Sequence, residues 1–90
     1  GLANPGSAGP AMLDGAFNAD GGLPVNLSGG LIGQGGAPGA VGIMQAVNMD
    51  QILTGRSAMA GDLDLRCGVI DAHGGICTSS AVHVIERMEF

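Results

Sequence analysis

Apolar positions in the second half of the chain follow two different periods. Ala40, Ile43, Met44 and Val47 recur at helical spacing on one face, while Met49, Ile52 and Leu53 cover much of the opposite one, which predicts a helix from Ala40 to Thr54. A helix apolar nearly all round is expected to be buried on several sides. Gly55 suits the left-handed residue that closes a helix, and Arg56 stands near the negative end of the helix dipole. Ser57 to Asp64 reads as a polar loop. Cys67 to Asp71 is a continuous apolar run that suits a buried strand, broken by His73-Gly74-Gly75. Ser80 to Phe90 then alternates with Val82, Val84, Met88 and Phe90 apolar and Glu86 as the exception, so a closing strand is expected. The last two strands should form a tight antiparallel pair.

Upstream the pattern is weaker. Residues 1 to 22 are rich in Gly, Ala, Pro and Asn and read as a Gly/Pro-rich loop region, with a short strand or turn near Met12 to Phe17. Leu23 to Asn26 is a short extended segment, in which Pro24 lacks the donor that an inner strand would need. A glycine-rich loop follows and ends at about Gly39. The order of strand, loop, buried helix, strand and strand places residues 23–90 in the α/β class, as part of a larger domain.

Composition sharpens that view. The 90 residues include 18 glycines and two phenylalanines, with no Trp and no Tyr. Glycine loses most backbone entropy on ordering and brings no side chain to bury, so such a chain is expected to fold against a larger body. Apolar residues still make up 46% and charged ones 12%, which argues against intrinsic disorder. Starting at Gly1 rather than Met, the chain is expected to be a piece of a longer polypeptide.

Charge and spacing exclude several functions. The formal charge is -5, lysine is absent, and Arg56, Arg66 and Arg87 are the basic residues, so nucleic acid and anionic membranes are not expected partners. Gly21 to Met49 is uncharged, but its nine glycines and two prolines argue against a membrane span. Nine residues separate Cys67 from Cys77, which is neither a zinc nor a redox spacing, and two reduced cytoplasmic thiols are expected. A phosphate-binding P-loop requires a lysine, and a dinucleotide fingerprint would require glycine where Pro38 stands. What remains is a loop whose amides can approach an anionic or carbonyl group closely at a helix N-terminus.

Two blocks carry a family resemblance. The run Val25-Asn26-Leu27-Ser28-Gly29-Gly30, continued to Gly35-Gly36-Ala37-Pro38-Gly39-Ala40-Val41-Gly42, resembles the active-site loop of thiolases, V-N-x-S/N-G-G and then G-H-P-x-G-A-x-G. The run Gly68-Val69-Ile70-Asp71-Ala72-His73-Gly74-Gly75-Ile76-Cys77, followed by Val82 and Ile85-Glu86-Arg87, is similar to the C-terminal signature of archaeal and sterol-carrier-type members, G-L-x-H-N-x-G-G-x-G and V-x-x-L-E-R. The likeness covers roughly residues 20 to 90 and corresponds to the last quarter of a thiolase-like chain. It implies a mixed sheet layered with helices, with the Ala40–Thr54 helix packed between two sheets.

It also implies chemistry on an acyl-coenzyme A thioester, as an acyltransferase or an aldol lyase that makes or breaks a carbon–carbon bond. The departures concern the side chains that do the work. Gly36 stands where the family places a catalytic histidine, which activates a cysteine thiolate. Asp71 falls where the family has its second acid/base group, and a carboxylate buried there would be a candidate for that role. His73 lies where a backbone amide serves an oxyanion hole, and its imidazole is a candidate to replace the lost one. Gly35, Gly36, Gly74, Gly75 and Asn26 form the expected substrate and oxyanion loops. His83 carries no catalytic expectation.

The nucleophilic cysteine of the family belongs to its first half, so this chain alone should be inactive and should require the remainder of a thiolase-like chain or a partner subunit. The resemblance implies a homo- or hetero-oligomer, and for the lyases a small OB-fold zinc-ribbon partner; no metal is expected in this chain. The competing expectation is a noncatalytic, structural thiolase-like subunit that completes a partner's fold.

Overall fold

The computed structural model describes residues 2–61 and 63–88. It divides into two compact units, Gly1–Gly30 and Leu31–Phe90.

The first unit holds a helix where an irregular region was expected. α1 (Ala8–Leu13) includes Gly9 and Pro10, both of which read as breakers in sequence. In a first helical turn the backbone N–H groups have no partner, so the missing donor of Pro10 costs nothing there. Turns follow from Asp14 to Phe17, the second of the two alternatives, strand or turn, expected there. Leu23 and Val25 donate backbone hydrogen bonds to the carbonyls of Ala16 and Phe17, at 3.0 and 3.1 Å. The extended segment around Pro24 therefore pairs through its alternate residues, although it is too short and irregular to count as a strand.

In the second unit the expected loop contains one helical turn, α2 (Leu31–Gln34), closed by the Gly35 amide bonding to the Leu31 carbonyl at 2.8 Å. α3 (Val41–Leu53) follows. It ends as its sequence demands: Arg56 N–H bonds to the Gln51 carbonyl, Gly55 N–H bonds to the Ile52 carbonyl, and Gly55 takes φ +73°. That pair of bonds with a left-handed glycine is a Schellman motif. The Arg56 side chain turns back to the Asp50 carboxylate and the Thr54 hydroxyl. The Ser57–Asp64 segment is not all loop. It contains a 3₁₀ turn (Ala58–Ala60) capped by the Ser57 hydroxyl, and this turn buries Ala60 beside α3.

β1 (Cys67–Gly74) and β2 (Ser79–Glu86) form an antiparallel hairpin. β1 is not broken at His73, which pairs with Ser80; the reversal comes later, at Gly75 with φ +66°. β2 stops at Glu86, short of the expected end, and Phe90 lies outside the described residues.

The layers pack differently from the sequence expectation. α3 lies on β1 through Gly42, Gln45 and Met49, with Ile52 and Leu53 buried below them, rather than through the Ile43 and Val47 stripe. Leu53 keeps 3% of its surface exposed, whereas Ile43 keeps 69%. The reason is distance. A Cβ added at Gly42 would stand 3.5 Å from the Ala72 Cβ, and one added at Gly68 would strike Met49 Sδ, so the two glycines let helix and strand approach. The far end is tied by Arg87, whose guanidinium donates to the Leu53 carbonyl at the end of α3 (3.3 Å) and pairs with Asp64 (3.1 Å). Among the described residues, no helix is long and apolar enough to cross a membrane.

Candidate functional site

Strand alternation sorts the hairpin into two faces. Gly68, Ile70, Ala72 and Gly74 turn towards α3, while Cys67, Val69, Asp71 and His73 turn away from it. The two candidate acid/base residues thus share the open face, two positions apart. Across the register, His73 faces Ser80 and Asp71 faces Val82.

These side chains form a close polar cluster. His73 Nε2 lies 3.1 Å from Asp71 Oδ2, and the Ser80 hydroxyl donates to Asp71 Oδ1. The carboxylate therefore has one oxygen for each neighbour, which fixes its plane. It is not buried as a strand position in an apolar run suggested, because it lies on the face that α3 leaves open. The side chain of Asp71 is 46% exposed and that of His73 51%, so both are reachable by a substrate or a proton.

The helix side of the same strand contributes a different group. Gln45 Nε2 donates to the Asp71 carbonyl at 3.0 Å, while Gln45 Oε1 is buried without a partner. Sequence reasoning passed over Gln45. Its signal was a polar residue within Ile43, Met44, Ala46 and Val47, one turn before Met49 on the strand-facing stripe. Beside it, a groove of about 470 Å³ opens between α3 and β2, lined by Gln45, Ile70, Ala81, His83 and Ile85.

Helix and strand run in opposite directions, since Gly42, Gln45 and Met49 meet Ala72, Asp71 and Gly68 in turn. The N-terminal end of α3 consequently stands at the hairpin end of β1. Gly35 and Gly36, in the loop before α3, and Gly74 and Gly75, at the hairpin turn, thus belong to the same end of the layer. Gly74 is paired with Ser79, and its carbonyl accepts from the Thr78 amide at 3.1 Å and the Thr78 hydroxyl at 3.2 Å. Asn26 belongs to the first unit, where it takes φ +53° and its carbonyl accepts from the Gly29 amide at 2.8 Å.

Gly36 is a glycine without a local requirement for one. A Cβ there would meet Leu31 Cδ1 at 3.6 Å and Val41 Cγ2 at 3.8 Å, which are ordinary contacts, and its φ lies outside the left-handed region. The position has room for a side chain and lacks one.

Among the described residues no group of three or more His, Cys, Asp and Glu stands ready to hold a metal ion, and Cys67 and Cys77 are exposed thiols.

Comparison with known proteins places these features in context. The model of a family described as thiolase C-terminal domain-like matches residues 1–87, so the likeness extends through the first unit as well as the two motif blocks. The acetyl-CoA acetyltransferase of Methanothermobacter thermautotrophicus is 36% identical over 87 residues, which is 97% of this chain and 23% of that protein. This chain spans about a quarter of the length of that relative. No solved structure matches it significantly.

Proposed function

Because this chain belongs to the thiolase C-terminal domain-like family, we propose that it supplies the C-terminal part of the active site of a thiolase-like acyltransferase acting on acyl-coenzyme A. The observation that carries this reading is the identity with an acetyl-CoA acetyltransferase across 97% of the chain. The geometry agrees with it, because the loop before α3 and the acid/base pair of β1 belong to one end of one layer.

Forming or breaking a carbon–carbon bond beside a thioester needs a proton carrier at the α-carbon and donors for the developing enolate or oxyanion. Asp71 and His73 together supply the acid/base function in this reading. The backbone around Gly35, Gly36, Gly74 and Gly75 faces the thioester in this reading. The nucleophile and the rest of the binding site come from the remainder of a longer chain or from a partner subunit. A small core of Ile52, Leu53 and Ala60 fits a segment completed by such a body.

The empty position at Gly36 favours a second reading, a thiolase-like subunit that completes a fold without catalysis. Turnover of acetyl-CoA by the complete protein separates the two. In the catalytic reading, Asp71→Asn and His73→Ala each lower turnover by about 100-fold, the scale of a lost acid/base group. Unchanged turnover in both variants removes these side chains from the mechanism, and no turnover with any partner present favours the structural role.

A further inference from the structure

Asp71, His73 and Ser80 are not three equivalent polar residues. The carboxylate stands in the middle, with its Oδ1 accepting from the Ser80 hydroxyl and its Oδ2 placed 3.1 Å from His73 Nε2. Ser80 reaches it diagonally, since its direct partner across the hairpin is His73. Diagonal neighbours on an antiparallel pair are close enough for such contacts.

We propose that Ser80 is a positioning residue in a relay of three side chains, in which His73 carries the proton, Asp71 orients His73, and Ser80 holds Asp71. This inference rests on the acyl-coenzyme A reading above. It assigns Ser80 a role, and it separates Asp71 from direct proton transfer.

The chemistry follows from these approaches. A carboxylate is an acceptor only, so a neutral His73 facing it must carry its proton on Nε2, and the lone pair is then left on Nδ1. Nδ1 takes one proton from the substrate, the ring becomes imidazolium, and the negative charge of Asp71 stabilises that cation until the proton is returned. An unanchored carboxylate at half-exposed positions would rotate between solvent and the ring. The Ser80 hydroxyl removes that freedom by occupying the other oxygen. The other titratable groups on this face are Cys67 and Glu86, which pair with each other at the opposite end of the hairpin, beyond Val69 and Val84. His83 lies on the helix side.

The test combines ring-nitrogen NMR of His73 with turnover of acetyl-CoA, both on the complete protein, with His73→Gln assigning the signal. In the unmodified protein the neutral ring is expected as the Nε2–H form. Asp71→Asn replaces an acceptor by an amide that can donate to Nε2, so the ring is expected to switch to the Nδ1–H form, as a wrong tautomer does in acid/base relays. Ser80→Ala should lower kcat by about tenfold, the value of one lost hydrogen bond, with KM little changed. Ser80→Thr keeps the hydroxyl on a residue well suited to strands and should restore the rate.

An unchanged tautomer in Asp71→Asn overturns the inference whatever the turnover. Measurable turnover that is insensitive to Ser80→Ala also overturns it, while leaving the acyl-coenzyme A reading in place. A tautomer switch without turnover in the unmodified protein retains the orienting geometry, and it is the broader acyl-coenzyme A reading that then fails.

Discussion

The two faces of β1 are built on opposite logics. Towards α3 the strand presents Gly68, Ile70, Ala72 and Gly74, small residues relieved by one isoleucine, because the helix comes close enough at Gly42 that a larger side chain would be in the way. Away from α3 it presents Cys67, Val69, Asp71 and His73, which have no helix to accommodate and carry instead the polar cluster with Ser80. One strand of eight residues thus holds a packing surface and a chemical surface in alternate letters. A change on one face should disturb folding, and a change on the other should disturb chemistry while leaving the fold largely intact.

The largest effect is expected where the packing face is sealed. Leu53 is among the most buried side chains described, and Leu53→Ala should cost about 2–5 kcal/mol in a denaturant titration, the range for a buried leucine that leaves a cavity. A cost below about 1 kcal/mol would mean that the site collapses freely or that the helix is not held there.

Next comes the close approach itself. Gly68→Val forces Met49 out of its place and should cost about 1–3 kcal/mol, typical of overpacking. Because Met49 is flexible, a second substitution, Met49→Ala, should recover part of that loss, and a double-mutant cycle measures the coupling. Additive costs would show that helix and strand do not meet at this point.

Arg87 ties the far end of the packing face. Arg87→Met keeps most of the side-chain bulk but removes the charged donor at the Leu53 carbonyl, with an expected loss of about 1–2 kcal/mol that urea midpoints would register. The sequence motif had marked Glu86-Arg87 as part of a signature, and the structure gives Arg87 a physical role in closing the C-terminal end of α3.

How much of this was legible beforehand differs by element for physical reasons. α3 was expected over Ala40–Thr54 and is found over Val41–Leu53, because its capping glycine and long apolar run leave little choice. Which of its faces packs was not legible: an all-round apolar helix has no preferred side, and the decision fell to Gly42 and Gly68, whose contribution is an absence of atoms. β1 was cut short at Asp71 because hydropathy ends there, yet backbone pairing continues to Gly74 and depends little on side-chain polarity. α1 was hidden by Gly9 and Pro10, which are tolerable in a first turn but look like breakers when read as letters alone. Within the candidate site, Asp71, His73 and the glycines came from motif positions, whereas Ser80 follows from the hairpin register and its diagonal bond to Asp71, neither of which the sequence states before the turn length is known.

The smallest expected effect tests whether the open face is open in the complete protein. Val84 is 70% exposed in this chain and pairs with Val69, so Val84→Thr keeps the β-branched shape and should change stability by less than about 0.5 kcal/mol while leaving the His73 tautomer untouched. A loss of about 2 kcal/mol or more would mean that a further layer covers these valines, since burying an unpaired hydroxyl carries a cost of that order. The two faces would then both be packing surfaces, and the cluster of Asp71, His73 and Ser80 would have to be read as a satisfied polar network inside an interface rather than as groups presented to a substrate.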